Sequence, residues 1–448
     1  MGWPNNYVQG VYDATGKVVG VGDGAGGEIA FSSRLILSNI MGRQWSKKQT
    51  VTAAASNATS FTYHQTFTVE TQATRFRVMI QNSSTTEICT ITSGSIAVSN
   101  AIGTDVATNT TPSTATFVPL TWNTGATSVA IPVAVSTSRP KIQWSDWINI
   151  STIARTDGGT LPVVMVRTYI KGADSAPAST YSYGAYGLPA FKYNSVAGIN
   201  NGRFLNTWRA TGDKVTGSPS MGAATSLEFA VPVMGVEYST RKAGLTIYAE
   251  GDSITEGATN GSSSTTFGNG WIWQTINLMR NLYPNIPIDL VNGGMAATST
   301  ANFLLRYQDA VTAGTHFDMV IYSPFSPNDG TPSQVIIDNQ QRYYSQFTDA
   351  MATAKKPYVI TTPAPNTASA WTAPQDAFRL TQRTDLLTNR YCGIDVIDIE
   401  STLSDGASPA RYKATYTTDG THPNDAGYAA VAEVALPILT KYLPFTAS

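Results

Sequence analysis

From about residue 243 the chain changes period. Short apolar runs alternate with longer stretches in which apolar residues recur every three or four positions, the pattern of strands exchanged with amphipathic helices. Leu245–Glu250, Ile288–Val291, Phe317–Ser323, Pro357–Thr361 and Ile394–Ile399 read as strands. Residues 271–283, 299–313, 333–355, 374–390 and the stretch from Asn424 to about Lys441 read as helices; in the first, Ile272, Ile276, Met279 and Tyr283 share one face. Parallel strands need such crossover connections. The pattern therefore predicts a three-layer, flavodoxin-like α/β domain over 243–448. Residues just past the carboxyl ends of its strands would gather at one edge, where such sheets bind ligands.

The half before residue 243 obeys a different rule. Phe76, Val78 and Ile80 alternate with Arg75, Arg77 and Met79, as in a half-buried strand. Ala115–Trp122, Ser128–Val135, Leu161–Ile170 and Ser226–Met234 are further β-rich runs between clusters of Gly, Asn, Ser, Thr and Pro. Many short strands with polar turns predict an all-β sandwich over 31–242, most simply jelly-roll-like. The Thr/Ser-rich segment 83–114 has little apolar pattern and is expected to be a long excursion or an extra hairpin. Residues 1–30 form a turn-rich lead-in. Gly22-Asp23-Gly24-Ala25-Gly26-Gly27 formally matches a dinucleotide fingerprint, but no amphipathic helix follows, and Lys47 stands where an acidic residue is needed. Trp144, Trp147 and Trp208 also lie in this half. Such side chains fill a sandwich core more often than they make a sugar-stacking face, and both readings stand.

Two stretches carry chemistry. The apolar run Leu245–Ala249 leads into Gly251-Asp252-Ser253-Ile254-Thr255-Glu256-Gly257, a Gly-bounded turn that presents a serine at the end of a strand. A serine hydroxyl needs a base and an oxyanion site to attack an ester. Far along the chain, Asp419-Gly420-Thr421-His422-Pro423-Asn424 sets an Asp and a His three residues apart. One loop can then present both an imidazole and the carboxylate that orients it. The chain has three histidines, His64, His316 and His422, and His422 alone has this arrangement. Turn chemistry explains Gly-Asp-Ser and Asp-Gly equally well taken singly, and Asn424 reads as a helix N-cap. The strand–helix alternation between the two stretches makes a chance pairing a poor explanation.

Residues 243–445 resemble the GDSL/SGNH hydrolase family, whose serine block, Asn-bearing block and Asp-x-x-His block fall in this order. Two blocks depart from the pattern. Where the family usually has an oxyanion glycine, Asn292-Gly293-Gly294-Met295-Ala296-Ala297 places Ala297, which keeps its N–H. The usual Gly-x-Asn-Asp reads Ser326-Pro327-Asn328-Asp329, with Asn328 intact. The resemblance implies Ser253 as nucleophile, His422 as base, Asp419 as its partner, and an oxyanion hole from the N–H groups of Ser253 and Ala297 with the Asn328 amide. It implies no metal and no cofactor. Family substrates range from lipids and thioesters to acetylated sugars, and a β-sandwich ahead of such a domain resembles carbohydrate esterases and phage tail or spike deacetylases. The expected reaction is removal of short acyl groups, chiefly acetyl, from a carbohydrate; a lipid or general short-chain esterase, or a glycan-binding adhesin with a vestigial hydrolase fold, are the alternatives.

Composition narrows the partners. A formal net charge of −1 with 13% charged residues and no Lys/Arg cluster argues against nucleic acid and anionic membrane. No apolar run approaches the ~20 residues of a spanning helix. The Met1-Gly2-Trp3-Pro4-Asn5-Asn6 start lacks the basic and apolar regions of a signal peptide, although an extracellular or virion setting fits the polar composition. Cys89 and Cys392 fall in different expected domains and read as core residues rather than a disulfide. Polar 258–270 offers no apolar lid, and of Trp271 and Trp273 just beyond it, one is expected in the core and the other is free to line a cleft.

Overall fold

A computed structural model of the chain describes residues 61–69, 71–82, 85, 88–101, 115–136, 139–170, 204–216, 225–227, 233–240, 242–258, 270–368, 371–388 and 394–444, with strand segments 9–12, 18–22, 28–29, 36–41, 51–52 and 180–181. Two compact units result, Met1–Ile36 and Leu37–Ser448. In the first, Gln9–Tyr12, Val18–Gly22 and Glu28–Ile29 pair antiparallel in chain order.

The second unit begins with two antiparallel sheets that share a core. One runs in the order Val129–Ile131, Cys89–Ser99, Val163–Ile170, Phe61–Thr68, Phe204–Thr211, Thr225–Leu227. The other runs Lys141–Trp144, Arg75–Asn82, Val233–Thr240, Ile36–Met41. Tyr63, Phe67, Ile91 and Val166 of the first sheet meet Phe76, Val78, Val236 and Tyr238 of the second. Three expectations are corrected. Segment 83–114 holds Cys89–Ser99, an interior strand paired with Val163–Ile170 over its length, because Thr and Ser fit a pleated surface as well as apolar residues do. Ser226–Met234 is divided between strands of different sheets, Thr225–Leu227 and Val233–Thr240. Arg75–Asn82 is buried on both faces beyond its first residue, since the Arg77 face is covered by Trp144 and by the second half of the chain.

Beyond residue 243 the expected alternation is found. Strands β1 (Leu245–Glu250), β2 (Ile288–Asn292), β3 (Met319–Tyr322), β4 (Tyr358–Thr361) and β5 (Asp395–Ile397) form a parallel sheet in the order β2-β1-β3-β4-β5, the flavodoxin-like order. The connections are α1 (Ser253–Glu256), α2 (Trp271–Leu282), α3 (Thr300–Thr312), α4 (Gln334–Ala354), α5 (Ala373–Leu387), α6 (Ile399–Leu403) and α7 (Asp425–Leu439). Apolar faces of α2 and α7 fill one layer, in which both Trp271 and Trp273 are buried, so neither lines a cleft. Phe303, Tyr307, Tyr344 and Phe347 of α3 and α4 fill the other. The residue before α6 corrects the Ile394–Ile399 strand: Asp398 caps the Ser401 N–H and turns the chain into a helix.

The two halves of this unit meet at the amino ends of the parallel strands. Arg77 donates to Glu237 Oε2 at 2.5 Å and to the Gly314 carbonyl at 2.5 Å, and the ring of His316 lies 2.5 Å from Glu237 Oε1. Tyr238 donates to Asp289 Oδ2 at 2.7 Å, and Arg139 grips Asp309 at 2.8 and 2.9 Å. Trp144 lies under the Arg77 guanidinium, 4.3 Å from ring centre to Cζ, and packs in the same cluster as Tyr248 and Phe317. It is a junction residue, not a sugar platform. Trp147 is half-buried beside Arg75, and the Trp208 side chain lies outside the described residues. Glu237 is fully buried, and removing one partner of a buried pair costs about 3–5 kcal/mol by stranding the other charge. Arg77→Ala should therefore lower the thermal midpoint clearly, measured by melting; an unchanged midpoint would show the junction to be weak.

Candidate active site

Every element of the site lies at the carboxyl edge of the sheet, and the chain's polar turns build it. After β1, Asp252 adopts an extended conformation and its carboxylate accepts the Ile254 N–H at 2.9 Å, capping α1. Gly257 closes that single turn in the left-handed region, φ 89°, returning its N–H to the Ser253 carbonyl. Ser253 is the first residue of the turn, so its N–H has no helical acceptor and points out of the helix start. Its side chain sits 2.9 Å from His422 Nε2.

His422 is held by its own loop. Nδ1 lies 2.7 Å from Asp419 Oδ2, while Asp419 Oδ1 accepts the backbone N–H groups of Thr421 and His422 at 2.9 and 2.8 Å. Burial would raise the Asp419 carboxyl, but these N–H groups and the imidazole outweigh it and hold the group below the usual carboxylate range. Gly420 has φ 77°, and a Cβ there would come within 2.8 Å of the Ala368 nitrogen, whose N–H bonds the Gly420 carbonyl. Only glycine fits this turn. The other histidines are elsewhere: His316 is at the junction, and His64 is buried in the sandwich, where burial and Arg167 lower its pKa to about 3.

The second and third blocks reach the same edge from β2 and β3. Ala297 has φ 57°, the left-handed conformation that glycine adopts more easily, and among the described residues its N–H donates to nothing. Glu256, fully buried at the end of α1, accepts the preceding Ala296 N–H at 2.6 Å, and Asn292 donates to the Thr255 carbonyl while accepting the Gly294 N–H at 2.9 Å. These bonds hold the loop close against α1. Asn328 follows β3 and donates from Nδ2 to the Thr298 carbonyl at 3.1 Å. Asp329 accepts the Thr300 N–H at 2.9 Å and Gln340 Nε2 at 2.6 Å, fixing that turn to α3 and α4. Behind β1, Arg306 donates to Glu250, to the Gly251 carbonyl at 2.7 Å and to Thr298 Oγ1 at 3.1 Å. Burial pushes the Glu250 carboxyl up to about 7 against the pull of Arg306 and Tyr248.

The structure thus brings Ser253, Asp419 and His422 into contact and places Ala297 and Asn328 in turns at the same edge of the sheet. Sequence reasoning missed Asp252, Glu256, Arg306 and Ser326; the cap spacing of Asp252 and the Ser-Pro start before Asn328 were the available signals for two of them. A cleft beside the Asn328 turn is lined by Ile254, Phe325, Pro327, Ile336, Trp371 and Gln382. No group of His, Cys, Asp and Glu among the described residues could hold a metal ion. Ala297 is exposed, so its methyl group contributes little burial; Ala297→Gly should relieve roughly 1 kcal/mol of left-handed strain, offset by the freer unfolded chain. Stability and turnover should both stay near the parent values in melting and ester assays, and a large loss of rate would remove the Ala297 N–H from the site.

Residues 247–435 match the family described as GDSL-like lipase/acylhydrolase. Among solved structures, the chain is similar to a lipolytic protein of the G-D-S-L family from Desulfitobacterium hafniense, at 18% identity and TM-score 0.34 over 44% of this chain and 99% of that one. It is also similar to an acetylxylan esterase from Geobacillus stearothermophilus, at 19% identity and TM-score 0.34 over 44% and 94%. A GDSL-like lipase from Bacteroides thetaiotaomicron is similar at 16% identity and TM-score 0.33 over 44% and 89%. No curated protein matches in sequence. With its Ser253 turn, its parallel sheet and its Asp419/His422 loop, the segment 247–435 is similar to the GDSL-like lipase/acylhydrolase family.

Proposed function

We propose that residues 243–448 are the catalytic domain of a serine ester hydrolase that works through an acyl-enzyme, with residues 31–242 as a separate β domain. The observation that carries this is the unbroken line from Ser253 Oγ through the His422 ring to the Asp419 carboxylate, with contacts of 2.9 and 2.7 Å. Ser253 Oγ attacks the acyl carbon while His422 Nε2 takes its proton. Asp419, held ionised by its N–H donors, stabilises the imidazolium. The Ser253 and Ala297 N–H groups and the Asn328 amide receive the oxyanion. As the tetrahedral intermediate collapses, His422 returns the proton to the departing alcohol. Water then attacks the acyl-enzyme, giving its proton to His422, and the acid is released with Ser253 restored.

The acyl group is short and the alcohol a sugar in this reading. Its support is the polar 258–270 sequence, of which 259–269 lie outside the described residues, and the large β half of the chain. The sandwich meets the hydrolase half at the end of the sheet opposite Ser253, so it would hold a glycan at a distance from the chemistry rather than shape the cleft. The apolar lining of the cleft beside Asn328 favours a second reading, a longer acyl chain, since each buried CH₂ contributes about 0.8 kcal/mol. Hydrolysis of p-nitrophenyl esters of increasing chain length, with acetate release from an O-acetylated polysaccharide, separates the two. The short-acyl reading expects acetyl to exceed octanoyl and the glycan to exceed the aryl ester.

Ser253→Ala should lower kcat by about 10⁴-fold or more with the melting curve unchanged. Retained hydrolysis would return the chain to the binding-module reading. The kcat/KM profile should fall toward acid, because a general base acts only in its unprotonated form. Asp419 stays ionised over that range, because its carboxyl lies below the usual carboxylate values. A flat profile from acid to neutral pH would place the base elsewhere.

A further inference from the structure

Ser326 stands where the GDSL/SGNH pattern usually has glycine, and its hydroxyl touches four groups of the site. Oγ is 2.7 Å from Asp252 Oδ2 and 3.1 Å from the Thr298 carbonyl. It also receives the Asn328 backbone N–H at 3.2 Å and Asn328 Nδ2 at 3.1 Å. A hydroxyl has one proton and two lone pairs. The Asp252 carboxylate is buried, 2% exposed, and at 2.7 Å it takes that proton in preference to the more distant carbonyl. The lone pairs of Ser326 then face Asn328. The Thr298 carbonyl, 3.1 Å from the same Nδ2, can only accept as well.

This arrangement settles which end of the Asn328 amide faces the turn. With acceptors on that side, a flipped amide would set Oδ1 against the Thr298 carbonyl and the Ser326 lone pairs, which is repulsive. Nδ2 has two protons, so one can be shared between Ser326 and Thr298 while the other is offered to an oxyanion. We propose that Ser326 is a positioning residue whose hydroxyl, oriented by Asp252, holds the Asn328 amide with its nitrogen toward the oxyanion. The proposal rests on the esterase reading above and names a device within it. The serine side chain that departs from the family pattern thereby supplies an orienting contact that a glycine has no atoms to make.

The test uses the full chain and p-nitrophenyl acetate, with kcat, KM and melting curves for each variant. Ser326→Ala should lower kcat roughly 10- to 100-fold, no more than Asn328→Ala, with KM within about twofold, because an oxyanion contact acts in the transition state. Ser326→Thr, which keeps the hydroxyl, should retain most of the rate. Asp252→Asn should also lower kcat, since an amide nitrogen facing Ser326 turns its proton away. In an Asn328→Ala background, Ser326→Ala should cost nothing further, as expected of two residues acting through one contact. An Asn328→Ala loss with Ser326→Ala at the parent rate would overturn the proposal, as would the same Ser326→Ala loss in both backgrounds. Should Ser326→Ala fail to fold, Asp252→Asn at full rate overturns it instead. An Asn328→Ala variant at full rate removes the oxyanion role and the relay together, whereas an active Ser253→Ala removes the hydrolase reading itself.

Discussion

The contact between Ser253 Oγ and His422 Nε2 joins residues separated by 169 positions, and the parallel sheet is what makes it available. With β1 between β2 and β3, the turn after each of these strands opens onto the same edge. The last loop is then secured to the segment after β4, where the Thr367 and Ala368 N–H groups both bond the Gly420 carbonyl. A hydroxyl–imidazole contact of this kind tolerates little displacement. The loops at the edge are therefore fixed by bonds within each turn and by bonds from one segment to the next.

Behind that edge lies a layer of buried charge. Glu250 and Arg306 are both almost fully buried, and Tyr248 donates to Glu250 Oε2 at 2.7 Å. Ion pairs of this kind are seldom a source of net stability, because desolvation offsets their attraction. Their value here is geometric. Arg306 holds the Gly251 carbonyl at the entrance to the Ser253 turn and Thr298 beside Asn328, so one guanidinium fixes two walls of the site relative to each other. A fully satisfied polar network is stiff in a way that an apolar contact is not, since each bond constrains direction as well as distance.

The β-sandwich is organised mainly around its own core and touches the α/β half at the end of the sheet away from the Ser253 turn. Its aromatic and cationic residues, Arg77, Trp144 and Tyr238, are used to hold that junction. The two halves are held together by buried pairs and by an apolar cluster in which Met79 and Trp144 pack with Tyr248 and Phe317.

The α/β half was legible in the chain because its signals are local. Helix and strand periods, the Gly-bounded serine turn and the Asp-x-x-His spacing each depend on residues a few positions apart, and the strands fell where the period put them except at the end of the last, where Asp398 starts a helix. The sandwich was less legible. A Thr/Ser-rich strand such as Cys89–Ser99 is buried by its neighbours in the sheet rather than by its own apolarity, and Arg75–Asn82 looked half-exposed because the residues that cover Arg77 are distant in sequence. For the site, the residues themselves pointed to Ser253, Asp419 and His422 as chemically suited groups, and the family resemblance added Ala297 and Asn328. Only the tertiary structure brought Asp252 to Ser326, Glu256 to Ala296 and Arg306 to Thr298. The physical reason is that a hydrogen bond between two buried groups from different turns depends on where the sheet sets those turns, and no spacing in the chain encodes that distance.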